Sequence, residues 1–160
     1  MISFEIDGVQ FNYRAAVIMR DEKDRILLHR KGDDQYWTLP GGRCDAVEFS
    51  RECAVRELKE EIDVDIKIEK AVFFIENMFM IGEKRLHEIG VYYTAQFDKN
   101  NEKYRTEEFY SDEGGKKQLF RWFTWDEIEE IEFQPAPLKE RLKNIPEHME
   151  IIEIREAKNK

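Results

Sequence analysis

Apolar positions along this chain alternate with polar ones, or run together, in short segments, and only one central stretch follows a helical period. ISFEI, then Asp7-Gly8, then VQFNYRAAVIM predicts an edge strand, a tight turn and a longer strand. Asp21 to Asp24 form the next turn, and RILLHRK predicts another strand. Both longer strands are apolar nearly throughout, which implies burial on two faces. GDDQ then turns the chain into YWTLPGG. From Arg51 to Ile62 the apolar Cys53, Ala54, Leu58 and Ile62 recur at helical spacing, with Ser50 as the expected N-cap.

Beyond that helix, VDIKI, AVFFIENMFMI and HEIGVYYTAQF are β-rich and predict three strands. Residues 98–118 are polar and read as a long loop, a length that usually marks function or disorder. LFRWF predicts the last strand, and Thr124-Trp125-Asp126-Glu127 spells a capping box opening a helix. A second C-terminal helix is expected from near Pro137 to before Pro146. No repeat, linker or low-complexity tract interrupts this order, so residues 1–160 read as one domain. The strict strand–helix alternation of a doubly wound sheet is missing. A mixed sheet sandwiched between the Ser50–Ile62 helix and the C-terminal helices, an α/β fold, fits better.

Composition narrows the partners. With 160 residues, 41% hydrophobic and 12% aromatic, the chain can bury a real core. The formal charge is −9 and no basic tract appears, so nucleic acid is not an expected partner. A small polyanion arriving with divalent cations still fits. No apolar run approaches the ~18 residues of a membrane helix, and MISFEIDGVQ lacks the order of a secretory signal. Cys44 and Cys53 make no disulfide framework; they read as small packing residues in a reducing cytoplasm. Oligomeric state leaves no mark on the sequence.

Charge is most concentrated from Gly41 to Val64, GGRCDAVEFSRECAVRELKEEIDV. On a helix, Glu57 lies beside both Glu60 and Glu61, while Leu58 and Ile62 share a neighbouring face that can hold the helix to the sheet. Two carboxylates ~6 Å apart at an effective dielectric near 20 repel by roughly 3 kcal/mol, but full exposure reduces this to ~0.2–0.5 kcal/mol. Energetics alone leave a solvated acidic face open. They equally allow a magnesium site, since magnesium prefers carboxylate oxygen and a glycine pair lets the backbone approach closely.

Counted from Gly42, the spacing is G-x5-E-x7-R-E-U-x-E-E-x-D-U, with U aliphatic, filled by Gly42, Glu48, Arg56, Glu57, Leu58, Glu60, Glu61 and Val64. This resembles the Nudix box of MutT-like hydrolases at eight of nine constrained positions over 23 residues, and WTLPG with the element order extends the likeness. The resemblance implies an α/β/α sandwich with a mixed sheet between helices. It also implies a hydrolase that cleaves the pyrophosphate bond of a nucleoside diphosphate linked to another group. By the same resemblance the Gly41 carbonyl, Glu57, Glu60 and Glu61 are metal ligands for magnesium, with manganese able to substitute. Glu57 or Glu61 helps activate water, and Glu48 and Arg56 support them. The departure is Asp63, where the family has glycine; that position is expected to follow the helix in a left-handed conformation.

Specificity is less legible. Arg30, Lys31, Arg43 and Arg14 can meet phosphates, though solvation is the commoner role for any one of them. Tyr36 and Trp37 can stack on a base or belong to the core. Family subgroups acting on ADP-ribose or dinucleoside polyphosphates often carry proline or tyrosine where Met78 to Gly82 have neither. Glu107, Glu108 and above all Glu113, before Gly114-Gly115, are candidates for a distal ligand or base. His87 and Glu88 open a strand, and His87 reads as a surface histidine. The favoured substrate is a nucleoside triphosphate, giving monophosphate and pyrophosphate. The alternatives are ADP-ribose or a nucleotide sugar, and a non-catalytic nucleotide sensor, which would usually have lost a box glutamate.

Overall fold

A mixed sheet and a smaller antiparallel sheet organise the residues that the computed structural model describes, 1–111 and 117–156. Strands β1 (Ser3–Ile6), β2 (Val9–Ile18), β3 (Ile26–Lys31) and β4 (Gly41–Arg43) precede helix α1 (Ser50–Ile62). Strands β5 (Ile66–Ile81), β6 (Lys84–Phe97), β7 (Glu108–Tyr110) and β8 (Gln118–Phe123) follow, then helix α2 (Trp125–Glu130) and strand β9 (Glu150–Arg155). The large sheet runs β1-β2-β6-β5-β9 with β4 paired to β2, and β3-β8-β7 form the small one. Strands β2 and β6 are parallel, as are β5 and β9, while β2 pairs antiparallel with β1 and β4. Asp7 and Gly8 both take positive φ, 51° and 75°, the two-residue turn whose twist joins β1 to β2.

Alternation along β2 divides the core. Ala15 and Val17 join Cys53, Ala54, Leu58 and Ile62 of α1, with Ala95, Phe97 and Trp122. Ala16 and Ile18 face the other way and join Tyr92, Phe123, Leu138 and Leu142. Leu58 and Ile62 are fully buried, each contributing about 1.5–3 kcal/mol and together fixing which face α1 turns outward. The sheet thus lies between helical layers, in the α/β/α arrangement expected.

Four local expectations are corrected. Helix α1 begins at Ser50, with Phe49 as N-cap: the Ser50 hydroxyl is hydrogen-bonded to the Tyr93 hydroxyl, and the Glu52 carboxylate accepts from the Phe49 N–H at 2.9 Å. VDIKI and AVFFIENMFMI are continuous in β5, because bulges between Ile68 and Lys70 and between Ala71 and Phe73 absorb the break in period. Residues 98–118 are not one loop; they hold a 3-10 turn at Glu102–Tyr104, fixed by buried Tyr104 and by Trp122 Nε1 donating to the Lys103 carbonyl, and then β7. The second C-terminal helix is a 3-10 run, Ala136–Leu142, opened by Pro135 and Pro137. Strand β9 escaped the sequence because adjacent Ile151 and Ile152 obscure its alternation; Ile152 and Ile154 pack inward while Ile151 stays exposed.

Candidate active site

Hydrogen bonding from Arg56 organises the acidic face of α1. Its Nε donates to Glu48 Oε1 at 2.7 Å and its Nη2 to Glu48 Oε2 at 3.0 Å, a forked pair. Its Nη1 reaches Glu57 Oε1 at 3.0 Å and Glu60 Oε2 at 3.2 Å, and Nη2 also donates to the Arg43 carbonyl. Glu48 completes its shell by accepting from the Asp45 N–H at 2.7 Å. The Arg56 guanidinium holds the Glu48 carboxyl below the usual range.

The glycine pair has a steric reason on both sides. A Cβ on Gly41 would overlap the Ala15 carbonyl oxygen, and one on Gly42 would overlap the carboxylate of Glu57. Glu57 therefore rests in space that only glycine leaves open. Burial pushes its pKa up, opposed by Arg56 and reinforced by Glu60. Glu61, one turn on from Glu57, is 4% exposed and accepts from Gln118 Nε2 on β8 at 3.4 Å. Lys31 and Arg14 bring positive charge near Glu61.

Among the described residues no three His, Cys, Asp or Glu side chains converge at ion-holding distance, and Glu57 and Glu60 are turned toward Arg56. The donor set nonetheless fits a hard cation: three carboxylates on one helix face, with a backbone kept bare beside Glu57. Asp63 has φ 52° and ψ 45°, the left-handed conformation expected, and its N–H caps the Lys59 carbonyl. Its carboxylate pairs with Lys59 Nζ at 2.9 Å.

The specificity candidates divide. Trp37 is core, 7% exposed and edge-on to Phe123, with the Arg30 guanidinium over its ring at 4.8 Å. Stacking of Trp37 on a base is thereby corrected, and Arg30 is occupied with it. Arg43 points toward Ser3 and Met1 of the N-terminal strand. Glu107 and Glu108 are exposed, and Glu113 lies outside the described residues. Gln118 was missed; only its place at the end of the polar 98–118 segment hinted at it. Cys44 and Cys53 are free and buried, as packing residues would be. A cleft of about 800 Å³, lined in part by Arg20, Glu69, Thr94, Lys99 and Lys143, includes none of the box residues.

A family model described as the NUDIX domain matches residues 10–147. Over 47 residues the chain is 49% identical to a Bacillus subtilis (strain 168) protein named "Putative 8-oxo-dGTP diphosphatase", covering 29% of this chain and 32% of that protein. The chain thus matches about a third of that relative's length. Among solved structures, an ADP-ribose pyrophosphatase from Streptococcus suis 89-1591 aligns with TM-score 0.58 and 17% identity over 90% of this chain and 98% of that one. A MutT protein from Methanosarcina mazei Go1 aligns with TM-score 0.63 and 18% identity over 87% and 94%. At such identities the structures speak to the fold alone. Family match, fold and box geometry agree: this chain belongs to the NUDIX domain family.

Proposed function

We propose that this protein is a divalent-metal-dependent hydrolase of nucleotide phosphoanhydrides, taking a nucleoside triphosphate to its monophosphate and pyrophosphate. The observation that carries the reading is the complete set of box carboxylates, Glu48, Glu57, Glu60 and Glu61, arranged around Arg56 with Glu57 seated over Gly42. Magnesium, or manganese in its place, held by Glu57, Glu60, Glu61 and the Gly41 carbonyl, supplies charge neutralisation at the diphosphate and a more acidic water. The chain's own residues do the rest. Arg56 locks Glu48 and keeps Glu57 and Glu60 within reach of one another. Glu57, whose proton affinity burial raises, is suited to take a proton from water, with Glu61 one turn further on as the other candidate base. Positioning and charge stabilisation suffice for phosphoryl transfer, so no nucleophilic side chain is required.

The B. subtilis relative's name supports a triphosphate substrate; ADP-ribose, the substrate class in the name of the S. suis structure, is kept as the second reading. The proposed partner is a small nucleotide rather than nucleic acid, as the formal charge of −9 favours, and the proposed compartment is the cytoplasm. Among the described residues no helix is long and apolar enough to cross a bilayer. The test is a panel of nucleoside triphosphates, ADP-ribose and nucleotide sugars with magnesium, products resolved by chromatography. Monophosphate and pyrophosphate from a triphosphate is the expected result. Faster cleavage of ADP-ribose would replace the substrate. Nucleotide binding without any turnover would replace the enzyme with a sensor.

A further inference from the structure

The small sheet packs against the box helix. On antiparallel β3 and β8, His29 stands opposite Phe120 and Lys31 opposite Gln118. Directly opposite residues share a face, and so do residues two apart on one strand. His29, Lys31, Gln118 and Phe120 therefore line one face, and Phe120 joins Leu58 and Ile62 of α1 in the core. That face meets Glu61. The Gln118 amide donates to Glu61 Oε1 at 3.4 Å, with the charge of Lys31 nearby.

Gln118 is held on both sides of its backbone. Its N–H donates to Ser111 Oγ at 3.1 Å, and its carbonyl accepts from the Ser111 N–H at 2.8 Å. Burial then leaves the side chains little room, for Gln118 is 8% exposed and Glu61 4%. Chemistry fixes which way the amide points. An ionised carboxylate only accepts, so Nε2 rather than Oε1 must face Glu61. Gln118 Oε1 is buried without a hydrogen-bond partner, as are both ring nitrogens of His29. His29 is the diagonal neighbour of Gln118 across the two strands, within reach of a long side chain. Against the burial that lowers the His29 pKa, the Gln118 amide raises it, as an amide oxygen turned toward the ring would. A neutral imidazole carries one N–H, the donor that Oε1 lacks. An apolar residue would fill this seat without leaving an oxygen short of a donor, so the amide's use lies in what its N–H does at Glu61.

We propose that Gln118 is a positioning residue for Glu61: its Nε2–H steers the carboxylate into the orientation that holds metal or takes a proton, and His29 keeps the amide from flipping. The proposal rests on the nucleotide-hydrolase reading and adds the group behind one of its carboxylates. Ligating carboxylates are oriented by the hydrogen bonds they accept, and losing such a partner costs ~10–100-fold in metal affinity or activity. At 3.4 Å the contact is long, so it steers rather than clamps, and the low end of that range applies. Gln118 touches neither metal nor substrate in this role.

The test is a double-mutant cycle with Gln118→Met, which keeps the length of the side chain and removes its donor, alone and combined with Glu61→Gln. With a nucleoside triphosphate in magnesium, Gln118→Met alone should lower kcat by ~10-fold and leave KM within about threefold. Added to Glu61→Gln it should lower kcat by less than about twofold, because the carboxylate it steers is already gone. Calorimetric titration with manganese, without nucleotide, should repeat the pattern: ~10-fold weaker binding from Gln118→Met alone and no further change on top of Glu61→Gln. Equal losses in both backgrounds would overturn the proposal, making Gln118 a structural residue. A loss confined to KM would also overturn it, making Gln118 a substrate contact, as would a wild-type kcat. Should Gln118→Met not fold, Gln118→Asn, which withdraws the amide by one methylene, takes its place with the same expected losses. Absence of turnover with every nucleotide refutes the hydrolase and leaves the manganese cycle to judge this inference. Turnover with equal losses in both backgrounds refutes the inference and spares the hydrolase.

Discussion

Acid should weaken this protein through one buried side chain. His29 on β3 is 1% exposed, and burial, with the positive charges of Arg14 on β2 and Lys31 on its own strand, pushes its pKa from 6.5 down to about 3. Gln118 and Phe120 of β8 and the Leu39 backbone complete its surroundings. The folded chain keeps the ring neutral, whereas the unfolded chain protonates it below about 6.5. A depressed folded pKa means that the unfolded state binds the extra proton. Stability is therefore full above about 6.5 and falls as pH drops toward about 3. At about pH 5 the unfolded state gains RT ln(1 + 10^1.5), or about 2 kcal/mol. The many carboxylates add a pH dependence of their own, so the variant to compare is His29→Leu. Urea melts of both proteins at about pH 7.5 and about pH 5 should show the wild type losing ~2 kcal/mol more than the variant. Any packing cost of leucine cancels in that difference. Equal losses would mean that His29 titrates normally in the folded state, and the burial argument would fail.

Gly42→Ala should fold, since Gly42 does not need positive φ, but the new methyl occupies the seat of the Glu57 carboxylate. Turnover should fall ~10–100-fold with stability within about 1 kcal/mol of wild type, measured by steady-state kinetics and denaturant melts; unchanged kinetics would mean that Glu57 acts from another position. Glu52→Gln, on α1 but outside the box, keeps an acceptor for the Phe49 N–H and should leave turnover within about twofold. Asp63→Gly relieves a left-handed aspartate but gives up the exposed Lys59 pair, so the melting temperature should stay level or rise by up to about 3 °C; a clear drop would mean that the Lys59 contact outweighs the strain.

What the sequence revealed follows the range of the forces involved. The Glu57, Glu60 and Glu61 face, the Arg56–Glu48 fork and the left-handed Asp63 are consequences of spacing within a few helical turns, and they could be read directly. Helix α1 could be placed because Leu58 and Ile62 repeat at helical period. Its first residue was misjudged because Ser50 bonds Tyr93, forty-three residues away, and no local pattern encodes that partner. The same holds for Trp37: its neighbours announce an aromatic near the glycine pair, but only the arrival of Phe123 decides that it is core. Strand β9 depends on strand register across the sheet.

The central claim is that the α1 carboxylates act as a metal-binding and proton-accepting set rather than as a solvated face. The measurement that tests it most directly is the turnover of a nucleoside triphosphate by wild type, Glu57→Gln and Glu61→Gln, each in magnesium and in chelator. The account predicts wild-type turnover in magnesium alone, and at least ~100-fold less from either variant while both remain folded. Wild-type rates in chelator, or variants as fast as the wild type in magnesium, would contradict it.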